Sequence, residues 1–309
     1  MKIYGRYAYQ WGIFWSFISA FLWSTTFIGS RYLLGAEKID PLSLSFIRFF
    51  IAGIILFIGA CIICPKKLFT LSLKNICALF FLSLAGITGM GIFLLWGLSS
   101  TSAMNGSVLL ATSPIFIMIM GIFIGEKISG QKVTGIILCL AGSMLVINLI
   151  TSNGIFFDLS HLKGDILILS SALCWALYSV FGKKTVNELG GYVATTWVII
   201  FGTVEQFIII CFSSNITLPT TGPDWLIVTY IAIFPSAIAF FAYYEALRLI
   251  ELSLLNTMQY ITPICTIFIA IILLNEQVTL LNAIGIALVI AGIIITSGKV
   301  PLPKLIKKY

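Results

Sequence analysis

Residues Ser102–Lys127 read SAMNGSVLLATSPIFIMIMGIFIGEK. The run is apolar and about long enough to cross a bilayer, with Pro114 near its middle and Glu126 and Lys127 at its end. A second version occupies Ser253–Gln277, SLLNTMQYITPICTIFIAIILLNEQ. Asn105 and Asn256 lie early in the two copies, Pro114 and Pro263 in their middles, and Glu126 and Glu276 at their closing ends. The Pro-to-Glu spacing differs by one residue. Two such copies about half a chain apart mean that the protein is built twice.

The 309 residues are 60% hydrophobic and 9% charged, with a mean hydropathy of +1.09. An ordinary soluble domain carries about 25% charged residues, so the solvent here is lipid. The formal charge of +7 comes from basic residues standing singly between apolar runs. That is a topology signal, and it argues against nucleic acid as a partner. Lys2 and Arg6 precede a first apolar run too long for a signal-peptide core, which is read as a retained helix. The seven cysteines fall almost entirely inside apolar runs and form no disulfide framework. Cys61 and Cys64 make a lone CxxC without a second pair or a nearby histidine, and His161 is the only histidine. No metal site, cofactor or His-based triad is expected. Gly89 and Gly91 lack a following Gly-Lys-Ser/Thr, so no ATPase motor is expected either.

Apolar runs of about 20 residues, the length that spans about 30 Å of hydrocarbon, recur at 12–33, 42–63, 75–97, 103–124, 132–150, 164–183, 192–212, 226–247, 253–274 and 280–297. The expected fold is all-α and integral to the membrane, with ten transmembrane helices. With the N-terminus inside, only Arg31, Lys38 and Lys163 fall in outer segments and Arg48 within a span. Both termini are therefore expected to be cytoplasmic. The repeat reaches beyond the opening stretch. SAFLWSTTFIGSR (19–31) matches SALCWALYSVFGK (171–183), aligning Trp23 with Trp175 and Arg31 with Lys183. GIILCLAG (135–142) matches GIALVIAG (285–292). Residues 1–150 and 151–309 thus form two five-helix repeats. Five is odd, so the second repeat enters from the opposite side, the inverted topology of many secondary transporters.

The paired SAxxW helices, the mid-helix Pro114 and Pro263, the closing Glu126 and Glu276, and the paired Gly-x6-Gly helices resemble the EamA family of the drug/metabolite transporter superfamily. The likeness covers almost the whole chain and occurs twice. It implies ten helices, cytoplasmic termini, a bacterial inner-membrane setting, and transport of small metabolites, often export of amino acids or related compounds. Lipid-linked sugar or nucleotide-type cargo is the alternative within transport. A membrane-embedded enzyme is the alternative from another class, and the scarcity of clustered catalytic groups argues against it.

Arg48 and Glu205 are ionisable groups deep within the second and seventh spans, each about two turns from an outer end. Such groups usually face a cavity or a partner. The pair is expected near one level of a cavity, either joined or each open to a substrate carboxylate or amine. By depth Glu205 is the candidate for proton coupling, and Gln206 beside it should point elsewhere. For Arg48 the competing reading is snorkelling to the headgroups. Trp23, Trp175 and Tyr178 are read as aromatic cavity walls or as helix packing. Asn105, Asn256, Gln259 and Tyr260 put polar groups on the fourth and ninth spans, suiting a passage or interhelical hydrogen bonds. Tyr243 joins the cavity candidates, while Glu245 is expected to pair with Arg248. Pro114 and Pro263 should kink their helices. Glu126 and Glu276 are expected to meet N–H groups at the start of the fifth and tenth spans. Those last two spans carry few polar residues and are placed at the periphery, where they suit a homodimer face.

Overall fold

The computed structural model describes residues 2–35, 37–123, 130–146, 150–151, 154–155, 159–212, 216–250, 255, 258–259, 261–276 and 278–296. Six helices are long and apolar enough to cross a membrane, with shorter apolar ones beside them. In chain order the main ones are α1 (Lys2–Gly35), α2 (Pro41–Ile63), the short α3 (Pro65–Phe69), α4 (Leu73–Ser83) and α5 (Met90–Ser100). α6 (Ala103–Leu110), α7 (Ser113–Phe123) and α8 (Gly130–Val146) complete the first half. A two-residue antiparallel pair, β1 (Ile150–Thr151) with β2 (Gly154–Ile155), precedes the second. There follow α9 (Leu159–Leu189), α10 (Gly191–Cys211), α11 (Gly222–Ile231), α12 (Ala239–Leu249), α13 (Ile261–Leu273) and α14 (Leu280–Thr296).

Two long spans change pitch midway. A π segment, Leu84–Gly89, joins α4 to α5, and another, Ala232–Ile238, joins α11 to α12. Pro235 lies inside the second and cannot donate its backbone bond, so the widened turn accommodates it. Wider turns leave carbonyls for neighbouring helices. Trp23 Nε1 donates to Pro235 O at 3.0 Å, and Gln206 Nε2 donates to Ile87 O at 3.0 Å. The fourth span is not one kinked helix. It breaks at Ala111–Thr112, with Pro114 in the first turn of its second half, where a missing N–H costs nothing. Of the ninth span, Ile261–Leu273 is helical and Pro263 sits in its first turn, after a turn at Gln259.

The helices pack in matching pairs. α1 lies on α12 as α9 lies on α5; α2 lies on α10; α8 lies on α14. Arg31 Nη1 donates to Leu98 O and Ser99 O at 2.9 and 3.1 Å, closing the end of α5. Lys183 Nζ does the same at the end of α12, donating to Leu247 O and, at 3.0 Å, to Ile250 O. Cations suit helix C-termini, where carbonyls lack partners. The two clasps sit at opposite ends of the bundle. Gly12, early in α1, faces Leu249 and Ile250, so α12 ends where α1 begins, whereas α5 ends beside Arg31.

Gly142 of the fifth span works as a close-contact residue against the tenth. A Cβ at Gly142 would lie 2.8 Å from Val289 N and run into Gly285 O. These faces are used within one chain, so a homodimer through the two spans would need their other faces. Gly125, Glu126 and Asn215 lie outside the described residues, as does the side chain of His161.

Candidate functional site

One cavity lies where both halves meet. Its lining includes Trp23 and Phe27 from α1, Arg48 from α2, Met90 and Leu94 from α5, Trp175 from α9, Pro235 from the second π segment and Phe240 from α12. Ser107, Leu110, Ala111 and Ser113 flank the break in the fourth span, and Gln259, Thr262 and Pro263 the start of α13. Space open to water centres is about 70 Å³, several times the ~10–15 Å³ that a single water requires.

The walls are rigid aromatics. Trp23 and Trp175 meet edge to face with ring centroids 4.9 Å apart and planes at 84°. Phe240 packs on both, at 5.3 and 6.0 Å. The two tryptophans therefore form the cavity wall and pack helices at once. Tyr178 and Tyr243 stand behind this wall, outside the described lining. Tyr178 stacks on Tyr244 at 4.8 Å against Gly86, and Tyr243 Oη shares a 2.8 Å hydrogen bond with Ser179 Oγ.

Polar groups are few and sparsely partnered. Arg48 is only 2% exposed, so it does not snorkel. Its guanidinium carbon lies 4.4 Å from the Phe49 ring centroid, and its Nε has no hydrogen-bond partner. Thr26 Oγ1 and Gln259 Oε1 are also buried without partners, although Gln259 Nε2 donates to Ser19 Oγ at 3.2 Å. Thr262 Oγ1 donates to Ala20 O at 2.9 Å, tying α13 to α1.

Arg48 and Glu205 are not joined. Glu205 accepts a hydrogen bond from Ser83 Oγ at one carboxylate oxygen and from Thr88 Oγ1 at 2.5 Å at the other. It is buried against α4 and the first π segment, away from the described cavity lining. Gln206 donates through Nε2 to Ile87 O of that segment, a different group from the two hydroxyls that Glu205 holds. Asn105 also lies off the described lining; its backbone N–H donates to Ser102 Oγ at 3.0 Å, an N-cap bond of α6. Asn256 and Tyr260 lie outside the described residues.

Glu276 meets free N–H groups as expected, but of a different helix. Its carboxylate accepts from Ala103 N at 2.8 Å and Met104 N at 3.1 Å, the first turn of α6. The turn after α13 carries it across to the other half. Glu245 accepts from Arg248 Nη2 at 2.7 Å, as its spacing suggests. At the end of the bundle held by Arg31, Lys38 Nζ bonds Asp224 Oδ1 at 2.9 Å and lies 3.7 Å from the Tyr32 ring centroid. The contact with Tyr32, and then the hydrogen bond that Lys38 donates to Asp224, raise the Lys38 pKa above its ordinary value.

Several lining residues were missed from sequence. Thr26 and Phe27 follow Trp23 at i+3 and i+4, a helical spacing that puts them on its face. Pro235 is a third mid-span proline. Phe240 and Leu94 carry no such signal in runs that are apolar throughout.

A bundle with lipid-length helices and a cavity lined by aromatic and polar groups from both halves is the build of a membrane transporter. The EamA-like transporter family matches the chain twice, over residues 10–148 and 162–298, and the chain belongs to that family. An uncharacterized transporter of Archaeoglobus fulgidus is 28% identical over 283 residues, covering 91% of this chain and 96% of that protein. The uncharacterized transporter YetK of Bacillus subtilis is 28% identical, covering 87% and 83%. A solved crystal structure superposes with a TM-score of 0.69 at 18% identity, covering 92% of this chain and 95% of that one, a likeness of fold. The protein is an integral membrane transporter of small molecules.

Proposed function

We propose that the chain is a secondary carrier working by alternating access, with the central cavity as its substrate site. Two inverted five-helix halves, 1–150 and 151–309, rock about the contact between Trp23 and Trp175. The observation that carries this reading is the cavity lining itself. It draws corresponding elements from both halves: the paired tryptophan helices, both π-interrupted spans, and both proline-bearing spans. Clasps of one kind at opposite ends support exchange between two tilts of similar energy. The setting is a bacterial inner membrane with both termini cytoplasmic, following the basic-residue bias. Small metabolites, amino acids or related compounds among them, are the cargo.

Glu205 is the proposed proton carrier. It acts at a distance from the cavity, through hydroxyls on the span whose π segment leads into the cavity-lining α5. Flux in proteoliposomes, with and without a pH gradient, tests both parts. Sustained movement of a small solute supports the carrier. Glu205→Gln should remove the dependence on the gradient while leaving counterflow intact. Dependence that survives the substitution makes Glu205 structural.

A further inference from the structure

The cavity holds a positive charge that the described residues leave unneutralised. Arg48 is 2% exposed and lines the cavity, and its Nε lacks a partner. The described lining contains no carboxylate, and among the described residues Arg48 makes no ion pair. A charge removed from water at membrane depth is costly unless something pairs with it. A guanidinium presents a planar fork that matches a carboxylate with two parallel N–H···O bonds.

Two further features add positive potential. Ser113, at the start of α7, and Thr262 and Pro263, in the first turn of α13, line the same cavity. These helices have 11 and 13 residues, long enough to present a dipole, and N-terminal turns favour anions. The unpartnered Thr26 hydroxyl offers a donor beside them. Trp23, Phe27, Trp175 and Phe240 line the same cavity. One cation with a large aromatic wall suits one negative group on an apolar body.

Resting on the carrier reading above, we infer that the transported substrate is an amphipathic monocarboxylate whose carboxylate is held by Arg48 and whose apolar body lies against the Trp23–Trp175–Phe240 wall. Arg48 is thus a substrate-binding and specificity-determining residue. A cation of the same shape is repelled, and a neutral analogue leaves the guanidinium unpaired.

Three probes share one ring and differ in charge: 3-phenylpropionate, 3-phenylpropionamide and 2-phenylethylamine. Their binding to the purified full-length protein is read by quenching of tryptophan fluorescence, and their transport by counterflow in proteoliposomes. The acid should bind at least about tenfold more tightly than the amide or the amine, and should alone drive counterflow. Arg48→Gln should weaken the acid about ten- to hundredfold, the size of a lost charge-assisted pair, and leave the amide unchanged. Arg48→Lys keeps the charge without the fork and should fall between. The wild-type series needs no variant, so a misfolded Arg48→Gln does not remove the test. An amide or amine that binds as well as the acid overturns the inference, as does an acid preference that survives in folded Arg48→Gln. Movement of neutral or cationic solutes without any carboxylate sinks the anion site and leaves the carrier standing. Failure of every solute to move, with acid binding intact, sinks the carrier reading and leaves the anion site.

Discussion

At the scale of single residues, Glu276 shows how one carboxylate joins the two halves. It satisfies two N–H groups at the start of α6, a helix more than 170 residues earlier in the chain. Each would otherwise be unpaired in a low-dielectric setting. Glu276→Ala should lower stability by about 1–2 kcal/mol, the range for a lost helix cap, and Glu276→Gln by less. The denaturation midpoint in detergent measures both, and an unchanged midpoint for the alanine variant would refute the capping role. That Glu276 serves as an acceptor for helix N–H groups was legible from its place after an apolar run. Which helix it serves was not, because sequence order makes the next span its neighbour and the fold does not. Arg48 and Glu205 divide in the same way. Their burial accords with their position within the spans; their separation depends on rotation about each helix axis, which a run apolar on all sides does not encode.

At the scale of elements, the spans themselves were the most legible feature, because hydrocarbon thickness imposes their length. Some described helices start and stop within a few residues of the apolar runs, Pro41–Ile63 against 42–63 for example, whereas Lys2–Gly35 begins ten residues before its run and Leu159–Leu189 overshoots its run at both ends. The π segments were not legible, since a regular helix of the same residues is equally apolar. Only packing reveals why one is needed. A Cβ at Gly86 would strike the ring of Tyr178, which is fully buried and stacked on Tyr244 and so cannot withdraw. Gly86→Ala should therefore cost about 1–3 kcal/mol from overpacking. A Gly86→Ala, Tyr178→Leu double variant should recover part of it. Thermal midpoints of the single and double variants settle the point, and equal losses in both would show that the glycine is needed for its backbone instead.

At the scale of the whole molecule, the ends are closed by different means. One carries the Lys38–Asp224 contact in addition to its arginine clasp. The Lys38 pKa is raised in the folded state, so its stabilising contribution is complete below the ordinary value of 10.5 and fades as pH rises through the higher folded value. Lys38→Ala should lower the thermal midpoint at neutral pH by a small amount, as expected for a partly exposed pair. The gap to wild type should close in strongly alkaline solution, and a gap independent of pH would refute a charge-dependent role for Lys38. The meeting of Trp23 with Trp175 has a consequence of another kind. The family model matches the chain twice, and Trp23 and Trp175 hold corresponding places in the two matched stretches, so this is a contact between equivalent positions. Expressed as two separate polypeptides, the two stretches should still associate, because that contact is made by side chains and not by the connecting segment.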